Sequence, residues 1–245
     1  MTQTTATREI PLEIAHNVRH LGGYPARNGS RTSDSTIRSA GLHRLTPGGL
    51  ATLADAGVKV IVDLRSAAER QRDVTPAVGP FGMQRIDAPV FEEDASPAGL
   101  GKAFQGFAPV YRSMLETGQP AYRALFETIA ATDGRVLFHC AAGKDRTGVA
   151  SALLLELAGV DDNLIAEDFA LSAMLLAPVF DDWLPRMRER GIDESRARGL
   201  LAAEPADINA TLAYVRDRYG DAEGYMTDIG MAPSAIAELR QKLIA

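Results

Sequence analysis

Residues 136–148 read Val-Leu-Phe-His-Cys-Ala-Ala-Gly-Lys-Asp-Arg-Thr-Gly, and no other stretch restricts the chain so tightly. Val136, Leu137 and Phe138 form a short apolar run that reads as a buried strand. The Ala/Leu-rich run 149–157 reads as a helix. Between them a tight loop runs from Cys140, the chain's single cysteine, to Arg146. A loop of this kind at a helix start turns successive backbone N–H groups to one side and makes an anion-sized bowl, favoured further by the helix dipole. Ala141, Ala142, Gly143, Lys144, Asp145 and Arg146 are the expected phosphate-binding residues, Arg146 closing the bowl with a planar two-pronged donor. Cys140 would lie at the bottom, where the same field favours the thiolate. A thiolate under a phosphate is set for in-line attack on phosphorus. The loop N–H groups and Arg146 would then stabilise charge on the equatorial oxygens.

A cysteine with an arginine six residues later is a weak signal alone, and the context strengthens it. His139 precedes the cysteine, Gly143 permits a tight turn, and Thr147 follows the arginine. A buried structural cysteine is the bland alternative. A Walker-type nucleotide loop fails, because Lys144 is followed by Asp145 rather than Ser or Thr and no Gly opens the loop. His139 is expected to fix the loop by hydrogen-bonding backbone, and Thr147 to cap the helix. Lys144 reads either as a solvated lysine or as a rim charge that attracts multiply phosphorylated substrates such as phosphoinositides.

The loop resembles the signature of cysteine-based tyrosine phosphatases. Its Gly143-Lys144-Asp145-Arg146-Thr147 core is most similar to that of bacterial tyrosine/serine and lipid phosphatases of the PtpB kind. Asn17-Val18-Arg19-His20-Leu21-Gly22-Gly23 resembles that group's Asn-x-Arg-Asp-Leu-Gly-Gly segment, with His20 where Asp is usual. Asp63-Leu64-Arg65-Ser66 with Glu69 resembles its Asp-Leu-Arg-Ser-x-x-Glu element, and Asp168, Phe169 and Ser172 its Asp-Tyr-x-x-Ser element. The resemblance implies a tyrosine-phosphatase-like fold, a helical lid over the loop near 163–205, and a Thr147 hydroxyl that supports the departing thiolate.

Along the chain, residues 1–13 read as a flexible lead-in and 14–245 as one domain. Residues 17–39 suggest a short hairpin around Val18 and Ile37, with a turn at Arg27-Asn28-Gly29-Ser30. Thr46, Pro47 and Gly57 bracket a helix. The β-branched run 58–64 reads as a central strand, with Asp63 and Arg65 at its carboxyl end, where open α/β sheets bind ligands. There they serve either as a structural ion pair or as braces facing the loop. Residues 84–90 and 135–139 are further strand candidates, and 107–116 and 120–132 helices. The acidic Glu92-Glu93-Asp94 falls in a Gly- and Pro-bearing loop, 91–105. Beyond Gly159 four to six helices follow. Strands alternating with helices imply an α/β fold with a mainly parallel sheet flanked by helices, the carboxyl-terminal half being helical.

A net charge of −6 argues against a general nucleic-acid binder. One cysteine excludes a disulfide framework and suits a reducing, cytoplasmic setting, with leaderless export left open. Neither a signal peptide nor a stable membrane anchor is expected. The four histidines, at 16, 20, 43 and 139, show no metal-ligand spacing, so no metal or cofactor is implied.

The expected activity is phosphomonoester hydrolysis through phosphocysteine, on phosphotyrosine first, with phosphoserine/threonine and phosphoinositides as further substrates and inorganic phosphate as product. A non-catalytic phospho-ligand binding module has no need of the thiol. A reductase usually needs a second cysteine. One departure from the tyrosine-phosphatase pattern concerns the proton for the leaving group. Many such enzymes take it from an Asp some 30 to 40 residues before the cysteine, but residues 95–132 contain no Asp. Asp145 is the leading candidate, with loop bracing as its bland alternative; Asp63 is the reserve and Asp87 the third.

Overall fold

The computed structural model describes residues 8–10, 12, 15–91 and 106–245. The acidic run at 92–94 lies outside them. A five-stranded sheet carries the fold, in the order β1 (Arg19–His20), β2 (Thr36–Ser39), β5 (Arg135–His139), β3 (Val58–Asp63), β4 (Gln84–Asp87). β1 pairs antiparallel with β2, and every other pairing is parallel. The mainly parallel α/β architecture read from the sequence is therefore the observed one. Register aligns Ser39 with His139, His139 with Asp63, and Asp63 with Asp87. The carboxyl ends of four strands thus stand side by side, with β5 in the middle and the 136–148 motif leaving it.

Period-two alternation divides the sheet's side chains between two cores. Val60, Val62, Val136, Phe138 and Cys140 enter the larger one. It is covered by α3 (Phe107–Thr117), α4 (Gln119–Ala131), α5 (Asp145–Ala158), α6 (Asp162–Leu176), α9 (Pro205–Tyr219), α10 (Ala222–Asp228) and α11 (Pro233–Lys242). Val58, Ile61 and Leu137 face the smaller core with Leu50 and Leu53 of α1 (Pro47–Asp55). The Thr46 side chain accepts from the Gly49 N–H, and Gly57 (φ +81°) ends the turn.

Several boundaries move. β4 stops at Asp87 rather than at 90. α5 begins at Asp145, four residues before the apolar run does, so Arg146 and Thr147 belong to its first turn. Part of the expected lead-in is packed: Glu9 bridges Arg19, and Arg8 lies 4.0 Å over the Tyr24 ring. The helical stretch Asp162–Glu189 is, by length and composition alone, long and apolar enough to cross a bilayer, which the sequence reading did not anticipate. Ile165, Ala166 and Phe169 of this stretch are core residues.

The same stretch carries Asp168, which ties α6 to the sheet. Arg19 Nε donates to Asp168 Oδ1 at 2.9 Å, Arg38 Nη1 to Oδ2 at 2.5 Å, and the Tyr24 hydroxyl to Oδ1 at 2.9 Å. Burial opposes the Asp168 charge, but the two guanidiniums outweigh it and hold the carboxyl far below its usual value. Burial, with Arg19 alongside, brings Arg38 down to about 10. Removing one member of a buried ion cluster leaves uncompensated charge, at a cost of about 3–5 kcal/mol. Asp168→Asn is expected to lose that much in urea unfolding. A loss under about 1 kcal/mol would show that the two arginines find other partners.

Candidate active site

The loop 140–144 curls at the carboxyl end of β5, and its shape follows from where its backbone groups go. Gly143 has φ +68°, and a Cβ there would lie 2.4 Å from the Ser39 carbonyl oxygen, so only glycine fits. Every carbonyl from 140 to 144 points away from the bowl to a donor. His139 Nδ1 is 3.1 Å from Cys140 O, and Gly41 N donates to Ala141 O at 2.9 Å. Asn17 Nδ2 donates to both Ala142 O and Gly143 O at 3.0 Å, and Arg38 Nη2 to Gly143 O at 2.8 Å. Gly148 N donates to Lys144 O at 2.7 Å, opening α5. Among the described residues no acceptor takes the N–H groups of Ala141, Ala142, Gly143 or Lys144. The turned-out carbonyls and unengaged amides together make the anion bowl that the motif predicts.

Cys140 is 2% exposed and lines the floor of a cleft of about 190 Å³. Arg146 also lines it and is held by Glu69 through two parallel bonds, Nη1 to Oε2 at 2.6 Å and Nη2 to Oε1 at 2.9 Å. Glu69 is itself fixed at the start of α2 (Ala67–Arg72) by a capping box, its Oε2 accepting from Ser66 N at 2.9 Å. Burial works against the Glu69 charge, but Arg146 and Ser66 prevail and bring the carboxyl down to about 2. Burial would weaken the Arg146 proton, yet Glu69 and Cys140 raise its affinity above the usual arginine value.

Asp63 and Arg65 form the structural pair. Arg65 Nε and Nη2 reach the two Asp63 oxygens at 2.9 and 2.7 Å, and Arg65 also donates to Asp73 O and Thr75 Oγ1. Arg65 reaches the cleft wall, whereas Asp63 is fully buried and does not line the cleft. Burial opposes the Asp63 charge, but Arg65, bonded to both its oxygens, holds the carboxyl below its usual value, so it holds no proton to give. Asp63 is therefore not placed to act as the acid, and neither is Asp87, which pairs with Arg85 at 3.0 Å on the edge strand and lies outside the cleft lining. Burial lowers His139 despite Asp63, which keeps the imidazole neutral as a backbone brace.

Lys144 is also corrected. It is fully buried, not on the rim: its ammonium donates at 2.7 Å to both Leu200 O and Ala202 O and lies 3.7 Å over the Phe107 ring. Those carbonyls end α8 (Glu194–Leu201), whose last turn needs donors. Thr147 does not cap α5; Lys144 occupies the N-cap position, and the buried Thr147 Oγ1 has no partner among the described residues. Asp145 lines the cleft beside Cys140 and Arg146.

α7 (Phe180–Glu189) and α8 bury Phe180, Leu184, Ile192, Ala197 and Leu200 between themselves. They overlie the cleft through Trp183, Met187, Leu200 and Leu201. Trp183 and Leu201 also pack near Ala142. Sequence reading missed Glu69, Asn17 and Arg38 as parts of the site. The capping-box spacing Ser66-x-x-Glu69 was a visible pointer to the first; nothing local points to Arg38.

A model of the tyrosine phosphatase family matches residues 10–245. The chain belongs to that family. A tyrosine-protein phosphatase of Nostoc commune is 35% identical to this phosphatase over 235 residues, covering 86% of this chain and 74% of the other. Triple specificity protein phosphatase PtpB of Mycobacterium tuberculosis is 28% identical over 258 residues, covering 85% and 90%. The crystal structure of TpbA from P. aeruginosa is matched at a TM-score of 0.42 and 17% identity, over 93% of this chain and 99% of that one. The phosphatase is therefore a PtpB-like, tyrosine-phosphatase-type hydrolase, as its motifs suggested.

The depressed Glu69 carboxyl has a consequence for stability. Its contribution is fully present above the usual glutamate value of 4.5 and is lost as pH falls through about 2. A shift of this size is worth on the order of 3 kcal/mol. Glu69→Gln is expected to flatten the stability-versus-pH curve between pH 4.5 and 2 and, by freeing Arg146, to lower kcat/KM on the order of 10²-fold at neutral pH. Unchanged acid unfolding and unchanged turnover would show that Arg146 is oriented by other groups.

Proposed function

We propose that this phosphatase hydrolyses phosphotyrosine through a phosphocysteine intermediate, with Cys140 as nucleophile, the loop amides and Arg146 as the phosphate clamp, and Asp145 as acid and then base. The buried Cys140 and the Glu69-held Arg146, lining one cleft, carry this reading, because they bring a thiol and a fixed cationic donor to the same anion site. In the first step the Cys140 sulfur bonds to phosphorus as the ester P–O bond breaks, and Asp145 gives its proton to the departing oxygen. In the second, water oxygen bonds to phosphorus, Asp145 takes the water proton, and the sulfur leaves as thiolate. The Thr147 hydroxyl, buried and without a partner among the described residues, is suited to stabilise that departing thiolate.

The cleft favours an aryl ester. Trp183, Met187 and Leu201 line it together with Arg72, Arg186 and Arg190, which suits an anionic group carried on a flat, apolar arm. Phosphotyrosine supplies that arm, and phosphoserine reaches less far. Phosphoinositide turnover loses the support that Lys144 lent it, since the ammonium is spent on α8 carbonyls. A binding module remains the weaker reading, because it gives no reason for a thiol at the floor.

Cys140→Ser is expected to abolish turnover while vanadate and phosphate still bind, and rapid quench of the wild type should trap phosphate on Cys140. Substantial activity in the serine variant would overturn the mechanism. Chelators should leave the rate unchanged.

Asp145→Asn tests the acid. A general acid contributes on the order of 10²–10⁴ in rate and matters most for poor leaving groups. Phosphotyrosine turnover should therefore fall far more than that of a nitrophenyl ester. Equal losses on both would reduce Asp145 to a loop brace.

A further inference from the structure

Two donors converge on one oxygen of Asp145. The Tyr111 hydroxyl lies 2.6 Å from Oδ1, and the Lys144 ammonium lies 3.3 Å from the same atom. Among the described residues no side chain donates to Oδ2. Tyr111 projects from α3 and is fully buried, its ring 5.6 Å from Phe107 and edge-on to Phe169 at 6.1 Å. Burial first, then the Asp145 charge, keeps the phenol proton bound well above the usual tyrosine value. Tyr111 is thus a permanent donor at neutral pH, on a rigid stem, at hydrogen-bond length from a carboxyl group in the cleft wall.

We infer that Tyr111 is the positioning residue for proton transfer: it holds Asp145 by Oδ1, so that Oδ2 is the oxygen that exchanges the proton with substrate. The inference rests on the acid–base reading of Asp145 and adds to it the atom and the residue that fixes it. A carboxyl group free to rotate presents either oxygen. One pinned at Oδ1 by a buried hydroxyl presents Oδ2 alone, with its torsion set before substrate arrives. In the first step the Oδ2 proton passes to the ester oxygen as the P–O bond breaks and the S–P bond forms. In the second Oδ2 takes a proton from water as the new P–O bond forms and the S–P bond breaks. Tyr111 keeps its own proton in both. Lys144 is the lesser anchor, since its contact is longer and its other bonds go to Leu200 and Ala202 at the end of α8.

The test is Tyr111→Phe, which deletes one oxygen and leaves the ring packing against Phe107 and Phe169, with a thermal melt to confirm the fold. Turnover of phosphotyrosine is expected to fall on the order of 10-fold or more, against little change for a nitrophenyl ester. KM and vanadate affinity should stay near wild type. With a donor removed from the carboxylate, the alkaline limb of the pH–rate profile should move to higher pH. Added to Asp145→Asn, the same change should bring no further selective loss. Equal losses on the two esters with the limb unmoved, or a full selective loss in the Asp145→Asn background, would overturn the role of Tyr111. If Asp145→Asn is selective and Tyr111→Phe is not, only the Tyr111 role falls. If Asp145→Asn is itself indifferent to the leaving group, the acid assignment falls and this one with it.

Discussion

The site depends on a backbone constraint: a loop that turns its amides toward an anion must turn its carbonyls into the protein. Buried carbonyls without donors are costly, so the bowl exists only if the fold behind it supplies donors in the right places. Here one side chain, Asn17, serves two of them from a residue at φ +56°, and Arg38 reaches Gly143 from the neighbouring strand. Arg38 in turn needs Asp168, which needs Arg19 and Tyr24 to remain charged in a dry interior. The hydrogen-bond path from the phosphate loop thus runs through β2, β1 and α6. Two of the motifs beyond the loop, those around Asn17 and Asp168, are far apart in the sequence yet support one turn of backbone.

A second constraint acts from the front. Arg146 must face an anion, yet its buried charge also needs a partner within the protein. Glu69, itself in the cleft wall, meets that need by gripping the guanidinium with both oxygens while the Ser66 N–H holds its Oε2. A pre-aimed guanidinium loses little freedom when phosphate binds. The Asp63–Arg65 pair, six and four residues before Glu69, looks similar in the sequence but does a different job, fastening the end of β3 to Asp73 and Thr75.

The sequence made the scaffold and the nucleophile legible for local reasons. β3 and β5 are apolar runs bounded by turn residues, α1 has its cap in Thr46, and Cys140 stands alone between a strand and a helix. What it hid was burial. Lys144 read as a solvated or rim charge and Asp63 as either a structural pair or a reserve acid, and both are spent on protein groups. Local pattern gives no sign that a lysine in a phosphate loop will sit over Phe107 and cap a helix 56 residues away. The start of α5 was misjudged for a related reason: Asp145, Arg146 and Thr147 are not an apolar run, and their helical backbone is held by the loop rather than by periodicity.

Adjacent residues at the head of α5 divide the remaining work. Lys144 turns backward under α8, where its two carbonyl bonds join the phosphate loop to the helical pair that roofs the cleft. Asp145 turns toward the cleft and is fastened sideways to α3 through Tyr111. The loop is thereby clamped on three sides, by the ion cluster behind, by the roof above and by α3 beside it. The Lys144–Asp145 contact of 3.3 Å joins the last two. A displacement of α8 would strip the ammonium of two acceptors and leave Asp145 and the Phe107 ring as its short-range partners. The geometry of the acid is then protected from the roof only to the extent that the hydroxyl on α3, which makes no use of α8, holds the carboxylate more firmly than the ammonium does. At 2.6 Å against 3.3 Å, it does.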